Sequence, residues 1–170
     1  LIRVMWEYNL PKRFEKIVKS FAYKTALIIN EEKFTFHDLD STSNQVAKYL
    51  LASNLTIGDV ISISGKKCFE SYALIVACWK IGVAYFFVDS DSPIKRINLM
   101  INRCKPKIIF AEKKVISKIE DLRIKNVQLD ELFSEAQKNK SELESKFETI
   151  PGDTIAYIMF TSGSTGDPNG

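Results

Sequence analysis

Four hydroxyl side chains and two glycines stand together at Thr161-Ser162-Gly163-Ser164-Thr165-Gly166. Each hydroxyl is a hydrogen-bond donor. Glycine lets the backbone come close to a ligand, and successive N–H groups in such a turn form a concave anion site. The chemistry this pattern offers is the holding of a phosphate. By composition alone a Ser, Thr and Gly cluster at a chain terminus reads as a linker. Two neighbours weigh against that: the apolar run Ile155–Phe160, which reads as a buried strand feeding the loop, and Pro168, which sets a turn two residues past Gly166. Neither G-x-x-x-x-G-K-[ST] nor G-x-G-x-x-G can be written in the chain, so the loop is of a third kind.

Other reactive side chains are few. Cys68, Cys78 and Cys104 form no C-x-x-C pair, and His37 is the single histidine, so no zinc site is expected. All three cysteines read as small core residues, a usage that fits a reducing, cytoplasmic setting. A formal charge of +3, with lysines alternating with acids, gives no basic face for nucleic acid. No secretory signal is visible, and Lys80 and Gly82 interrupt the longest apolar stretch, Ser71 to Val88, so no membrane span is expected. With 45% hydrophobic and 26% charged residues, 170 residues suit one globular domain. The initial Leu1 suggests a piece of a longer protein.

The elements that must carry the loop follow from periodicity. Phe14, Ile17, Val18 and Phe21 share one face of an amphipathic helix. Thr25–Asn30 and Lys33–Phe36 read as a β-hairpin. Thr35 and Asp38 fit a capping box for a helix ending near Asn54, with His37 in its exposed first turn. From Gly58 the pattern alternates: strand Val60–Ile63, buried helix Phe69–Lys80 stopped by Gly82, strand Ala84–Val88, a helix with Pro93 in its first turn and ended by Pro106, and strand Ile108–Ala111. Such alternation predicts an α/β fold with a mostly parallel sheet flanked by helices. Glu112 to Glu148 reads as a peripheral strand and solvated helices. The turn at Pro151-Gly152 then returns the chain to a central strand that carries the loop.

Three stretches in this order resemble the opening motifs of the adenylate-forming (AMP-dependent synthetase/ligase) enzymes, most closely the amino-acid adenylation domains of nonribosomal peptide synthetases. Phe34-Thr35-Phe36-His37-Asp38-Leu39 is similar to L-[ST]-Y-x-E-L. Trp79 to Asp89, W-K-I-G-V-A-Y-F-F-V-D, with Pro93-Ile94-Lys95-Arg96-Ile97, is similar to L-K-A-G-x-A-Y-x-P-x-D and P-x-x-R-I. Asp153 to Gly170 is similar to D-L-A-Y-x-x-Y-T-S-G-[ST]-T-G-x-P-K-G.

The resemblance implies a lead-in over 1–13 and, over 14–170, an incomplete N-terminal large subdomain of an adenylation enzyme, ending at the phosphate loop. It implies ATP with Mg2+ as cofactors, phosphates held by Thr161, Ser162, Gly163, Ser164, Thr165, Gly166 and Asn169, and a carboxylic acid substrate, an amino acid by preference. A carrier-protein thiol or CoA would be the acyl acceptor. No catalytic residue is implied within the segment, which is expected to be inactive alone. Tyr85, Asp89 and Arg96 read as architectural, the last two capping and bracing the Pro93 helix. Asn169 stands where the family has lysine. A unit charge pair near a protein surface is worth at most about 4 kcal/mol and a hydrogen bond to a charged group about 1.5–3, so the change weakens the loop without abolishing it. The alternatives are a non-catalytic remnant, or pseudoenzyme; a split enzyme completed by a second chain; and a fragment of a fatty acyl or aryl-CoA ligase.

Overall fold

The computed structural model describes residues 9–65, 67–119, 123–138, 150–162 and 168–169, the last four positions of the sequence among these, 161–162 and 168–169, by backbone path. Helix α1, Leu10–Phe21, opens four residues before the apolar pattern does, because the Asn9 side chain accepts from Lys12 N at 3.0 Å and Pro11 sits in the first turn. Strands β1 (Thr25–Ile29) and β2 (Glu32–Thr35) form the expected antiparallel hairpin. Its turn residues Asn30 and Glu31 both have positive φ, 49° and 71°, the two-residue geometry that matches strand twist. The capping box opens α2, Phe36–Ala52: Asp38 N donates to Thr35 Oγ1 at 3.1 Å, and Thr35 N donates to Asp38 Oδ2 at 2.8 Å. These bonds hold the Asp38 carboxyl below its ordinary value.

The main sheet contains β3 (Val60–Ile63), β4 (Ala84–Phe87), β5 (Ile108–Phe110), β6 (Lys125–Val127) and β7 (Tyr157–Ile158), all parallel, in the order β6-β5-β3-β4-β7. The remaining helices are α3 (Phe69–Ile81), α4 (Ile94–Cys104), α5 (Lys113–Ile116) and α6 (Leu129–Gln137). The step from β3 to β4 and the step back to β5 run in opposite directions, so right-handed crossovers put α3 and α4 on opposite faces. The core divides accordingly. Phe14, Val46, Leu50, Leu74, Ala77 and Leu132 lie on the face that carries α1, α2, α3 and α6. Phe86, Ile97, Ile101, Ile109 and Val115 lie on the face that carries α4 and α5. Gly82, with φ of 70°, ends α3 in the left-handed conformation that glycine adopts without strain.

Three expectations need correction. Helix α6 is not a solvated helix: Leu132 is fully buried and Phe133 and Ala136 nearly so, because they close the sheet face beside α2. Pro93 is the N-cap of α4 rather than a first-turn residue. Among the described residues, the strand that leads to the loop lies at the sheet edge, not at its centre, and it is not buried on both faces. Ile158 and Phe160 pack against the α4 face, whereas Ile155, Tyr157 and Met159 are 62%, 54% and 71% exposed on the other. An unbroken apolar run conceals this period-two division, since side chains on both faces are of one chemical type. No helix among the described residues is long and apolar enough to cross a membrane.

Candidate functional site

The site is built where β4 and β7 end. Tyr85 pairs with Tyr157 and Phe86 with Ile158, in parallel register, so the chain beyond Phe160 leaves at the carboxyl edge of the sheet. In open α/β sheets that edge is where ligands bind. Aromatic contacts fix the exit: the Tyr85 and Tyr157 rings lie 6.3 Å apart, and the Phe86 and Phe160 rings meet edge-on at 6.0 Å. Burial, the largest cause, pushes the Tyr85 phenol above its ordinary value, which keeps it neutral.

Immediately after Phe160, strand β8 (Thr161–Ser162) pairs antiparallel with β9 (Pro168–Asn169), Thr161 opposite Asn169 and Ser162 opposite Pro168. The two ends of the hydroxyl-rich loop are thereby brought together, with Thr161, Ser162 and Asn169 at its base. Gly163, Ser164, Thr165 and Gly166 lie outside the described residues. The backbone of β9 passes alongside α4.

Between α4 and β7 lies a cavity of about 390 Å³ lined by Tyr85, Phe87, Asp89, Ser92, Arg96, Tyr157 and Phe160, among others. A second, of about 360 Å³, adjoins it across Phe87 and Asp89 and reaches Gly65, Lys67, Ser71 and Tyr72 at the start of α3. Asp89 and Arg96 do not brace α4 as the sequence suggested. The Asp89 Oδ1 accepts from Asp91 N at 2.9 Å, tightening its own turn, and α4 has no side-chain cap. Asp91 instead pairs with Lys114 at 2.9 Å, which lowers the carboxyl and raises the ammonium. The partly buried Arg96 guanidinium makes no hydrogen bond or ion pair among the described residues. That vacancy could not be read from sequence, since spacing places Arg96 on the helix but does not say whether Asp89 reaches it.

Cys68 and Cys104 are partly exposed. Cys78 is fully buried, and burial pushes its thiol far above the ordinary range. His37 is exposed beside Tyr23, with ring centroids 5.8 Å apart. Among the described residues no three His, Cys, Asp or Glu side chains converge to hold a metal ion.

A family model described as AMP-binding enzyme matches residues 14–170. The chain belongs to the AMP-binding enzyme family. Relatives of this AMP-binding enzyme segment include Bacitracin synthase 1 of Bacillus licheniformis, 32% identical over 95% of the chain but 3% of the relative. Tyrocidine synthase 1 of Brevibacillus parabrevis is 25% identical over 95% of the chain and 15% of its own length. The chain thus spans a small part of each curated relative. The N-terminal subdomain of NpsA from Klebsiella oxytoca superposes with a TM-score of 0.80 at 24% identity, covering 94% of this chain and 40% of that one, a likeness of fold. The α/β architecture is therefore that of the front portion of an adenylate-forming N-terminal subdomain.

Proposed function

We propose that this chain is the front portion of an ATP-dependent enzyme that activates the carboxylate of an amino acid. The observation that carries the reading is the pairing of Thr161-Ser162 with Pro168-Asn169 at the carboxyl edge of a parallel sheet, which clamps the base of a loop rich in hydroxyls and glycine. In the reaction a substrate carboxylate oxygen bonds to the α-phosphorus of ATP while the bond from that phosphorus to the bridging oxygen breaks. The products are an acyl adenylate and pyrophosphate. The role of Thr161 to Gly166 and Asn169 is to position the β- and γ-phosphates and to meet their charge with N–H and O–H donors, magnesium sharing that charge when it accompanies ATP. None of these hydroxyls forms a covalent bond to the nucleotide. Passage of the acyl group to a carrier-protein thiol or CoA would follow.

The amino-acid preference rests on the run from Ala84-Tyr85 to Asp89 and Pro93-Ile94-Lys95-Arg96-Ile97, and on the peptide synthases among the relatives. The test is amino-acid-dependent exchange of pyrophosphate into ATP by the chain joined to its genuine downstream sequence. Exchange with one amino acid is the expected result. No exchange with any would favour the second reading, a non-catalytic remnant, to which Asn169 in the lysine position lends weight.

A further inference from the structure

Among the described residues whose side chains line the cavity between α4 and β7, Arg96 alone is positively charged. Its guanidinium carries five N–H donors, is partly withdrawn from water and has no acceptor among the described residues. The two acids just before the helix are otherwise engaged: Asp91 with Lys114, and Asp89 with its own turn. No acidic residue stands in the first turn of α4. The helix itself is fixed, with Ile97, Met100 and Ile101 buried beneath it, so the guanidinium is presented from a rigid base.

The opposite wall of the cavity includes Ile158 and Phe160, directly before Thr161, and β9, which carries Asn169, runs beside the same helix. A partly desolvated guanidinium with a free fork of donors is matched by a phosphate, whose oxygens accept two parallel hydrogen bonds. We propose that Arg96 is a ligand of the nucleotide's polyphosphate, supplying from α4 the positive charge that Asn169 does not provide. The inference rests on the reading of Thr161 to Gly166 as a phosphate loop.

The test is titration of the 170-residue chain with magnesium pyrophosphate by calorimetry, comparing wild type, Arg96→Gln, Arg96→Lys, Lys95→Gln, Asn169→Lys and the double variant Arg96→Gln/Asn169→Lys. Arg96→Gln is expected to weaken binding about 10- to 100-fold, the range of one charge-assisted hydrogen bond, with an unchanged melting temperature. Arg96→Lys retains part of the affinity, and Lys95→Gln, on an exposed neighbour, changes it by less than about twofold. Asn169→Lys in the Arg96→Gln background restores binding. Equal affinity of wild type and Arg96→Gln, or equal losses in Arg96→Gln and Lys95→Gln, overturns the role of Arg96 while leaving the phosphate loop intact. Failure of the wild type to bind pyrophosphate at all overturns the loop reading and this inference together.

Discussion

Lys80 is 3% exposed on a mostly apolar, buried helix, and its removal is the sharpest probe of how that core is held together. Its Nζ donates to Asp40 Oδ1 at 2.7 Å, Ser43 Oγ at 2.7 Å, Asn44 Oδ1 at 2.6 Å and the Asp40 carbonyl at 3.2 Å, and lies 5.5 Å from the centre of the Phe14 ring. One ammonium therefore joins α3 to α2 and to α1. Breaking a buried ion pair by removing one partner costs about 3–5 kcal/mol, because the other charge is left uncompensated. Asp40 is 28% exposed and regains some hydration, so the lower end of that range applies. Lys80→Ala is thus expected to cost about 3 kcal/mol from the lost pair, plus about 0.8 kcal/mol for each buried methylene removed. Lys80→Met keeps the stem and loses only the polar part.

The pairing also predicts a non-additive cycle: Lys80→Met combined with Asp40→Asn should cost less than the sum of the two single changes, by at least about 1 kcal/mol. Urea unfolding followed by circular dichroism measures all four stabilities. The pH dependence has a definite sign. Desolvation, the largest cause, holds the Lys80 ammonium below its ordinary value of 10.5 despite Asp40. The unfolded chain then binds more protons than the folded one between the depressed value and 10.5. This group's contribution to stability therefore rises with pH through that window, and the rise should vanish in Lys80→Met. A loss below about 1 kcal/mol in Lys80→Ala, or strict additivity in the cycle, would refute the claim that this ammonium is the cross-brace of the three helices.

Other outcomes follow from single sites. Gly82→Ala places a methyl 3.1 Å from Ile57 Cγ1 and 3.3 Å from Ile150 Cγ2 at a φ of 70°, and should cost at least about 1–2 kcal/mol in thermal or urea unfolding. Thr35→Ala removes the hydroxyl that accepts from Asp38 N and should cost about 1 kcal/mol. With a thiol reagent at pH 8, the partly exposed Cys68 should be modified first and Cys104, whose thiol burial pushes up, more slowly; Cys78 should react only on unfolding, as mass spectrometry of the labelled chain would report. Met159→Lys, at a residue 71% exposed, should lower binding of a hydrophobic dye while changing stability by no more than about 0.5 kcal/mol.

Local chemistry was readable wherever neighbours along the chain decide the outcome. The Thr35–Asp38 capping box, the stop at Gly82 and the strand Val60–Ile63 depend on residues a few positions apart, and the sequence contains all of them. What it did not contain is which strand stands beside which. β6 and β7 stand at opposite edges with β5, β3 and β4 between them, and nothing in the composition of Ile155–Phe160 records that placement. The charged stretch after Glu112 concealed the burial of α6 for a related reason: Leu132, Phe133 and Ala136 form a narrow stripe among acids and lysines, enough to cover α2 but too sparse to stand out by hydropathy. At the site, the hydroxyl and glycine pattern was explicit in the residues. The cavity beside it and the unpaired state of Arg96 exist only once α4 and β7 are brought side by side.

Among the described residues, the hold of β7 on the sheet consists of two register pairs, Tyr85 with Tyr157 and Phe86 with Ile158, on one side only. An element so lightly attached opens independently of the strands inside it, at a small fraction of the free energy of global unfolding. Its amides should then exchange with deuterated solvent far sooner than those of β3, which is paired on both sides. Since β7 runs straight into the paired strands at the base of the loop, whatever the loop grips must be bought partly with the ordering of this strand. Occupancy at Thr161 to Gly166 would be written upstream, as slowed exchange at Tyr157 and Ile158.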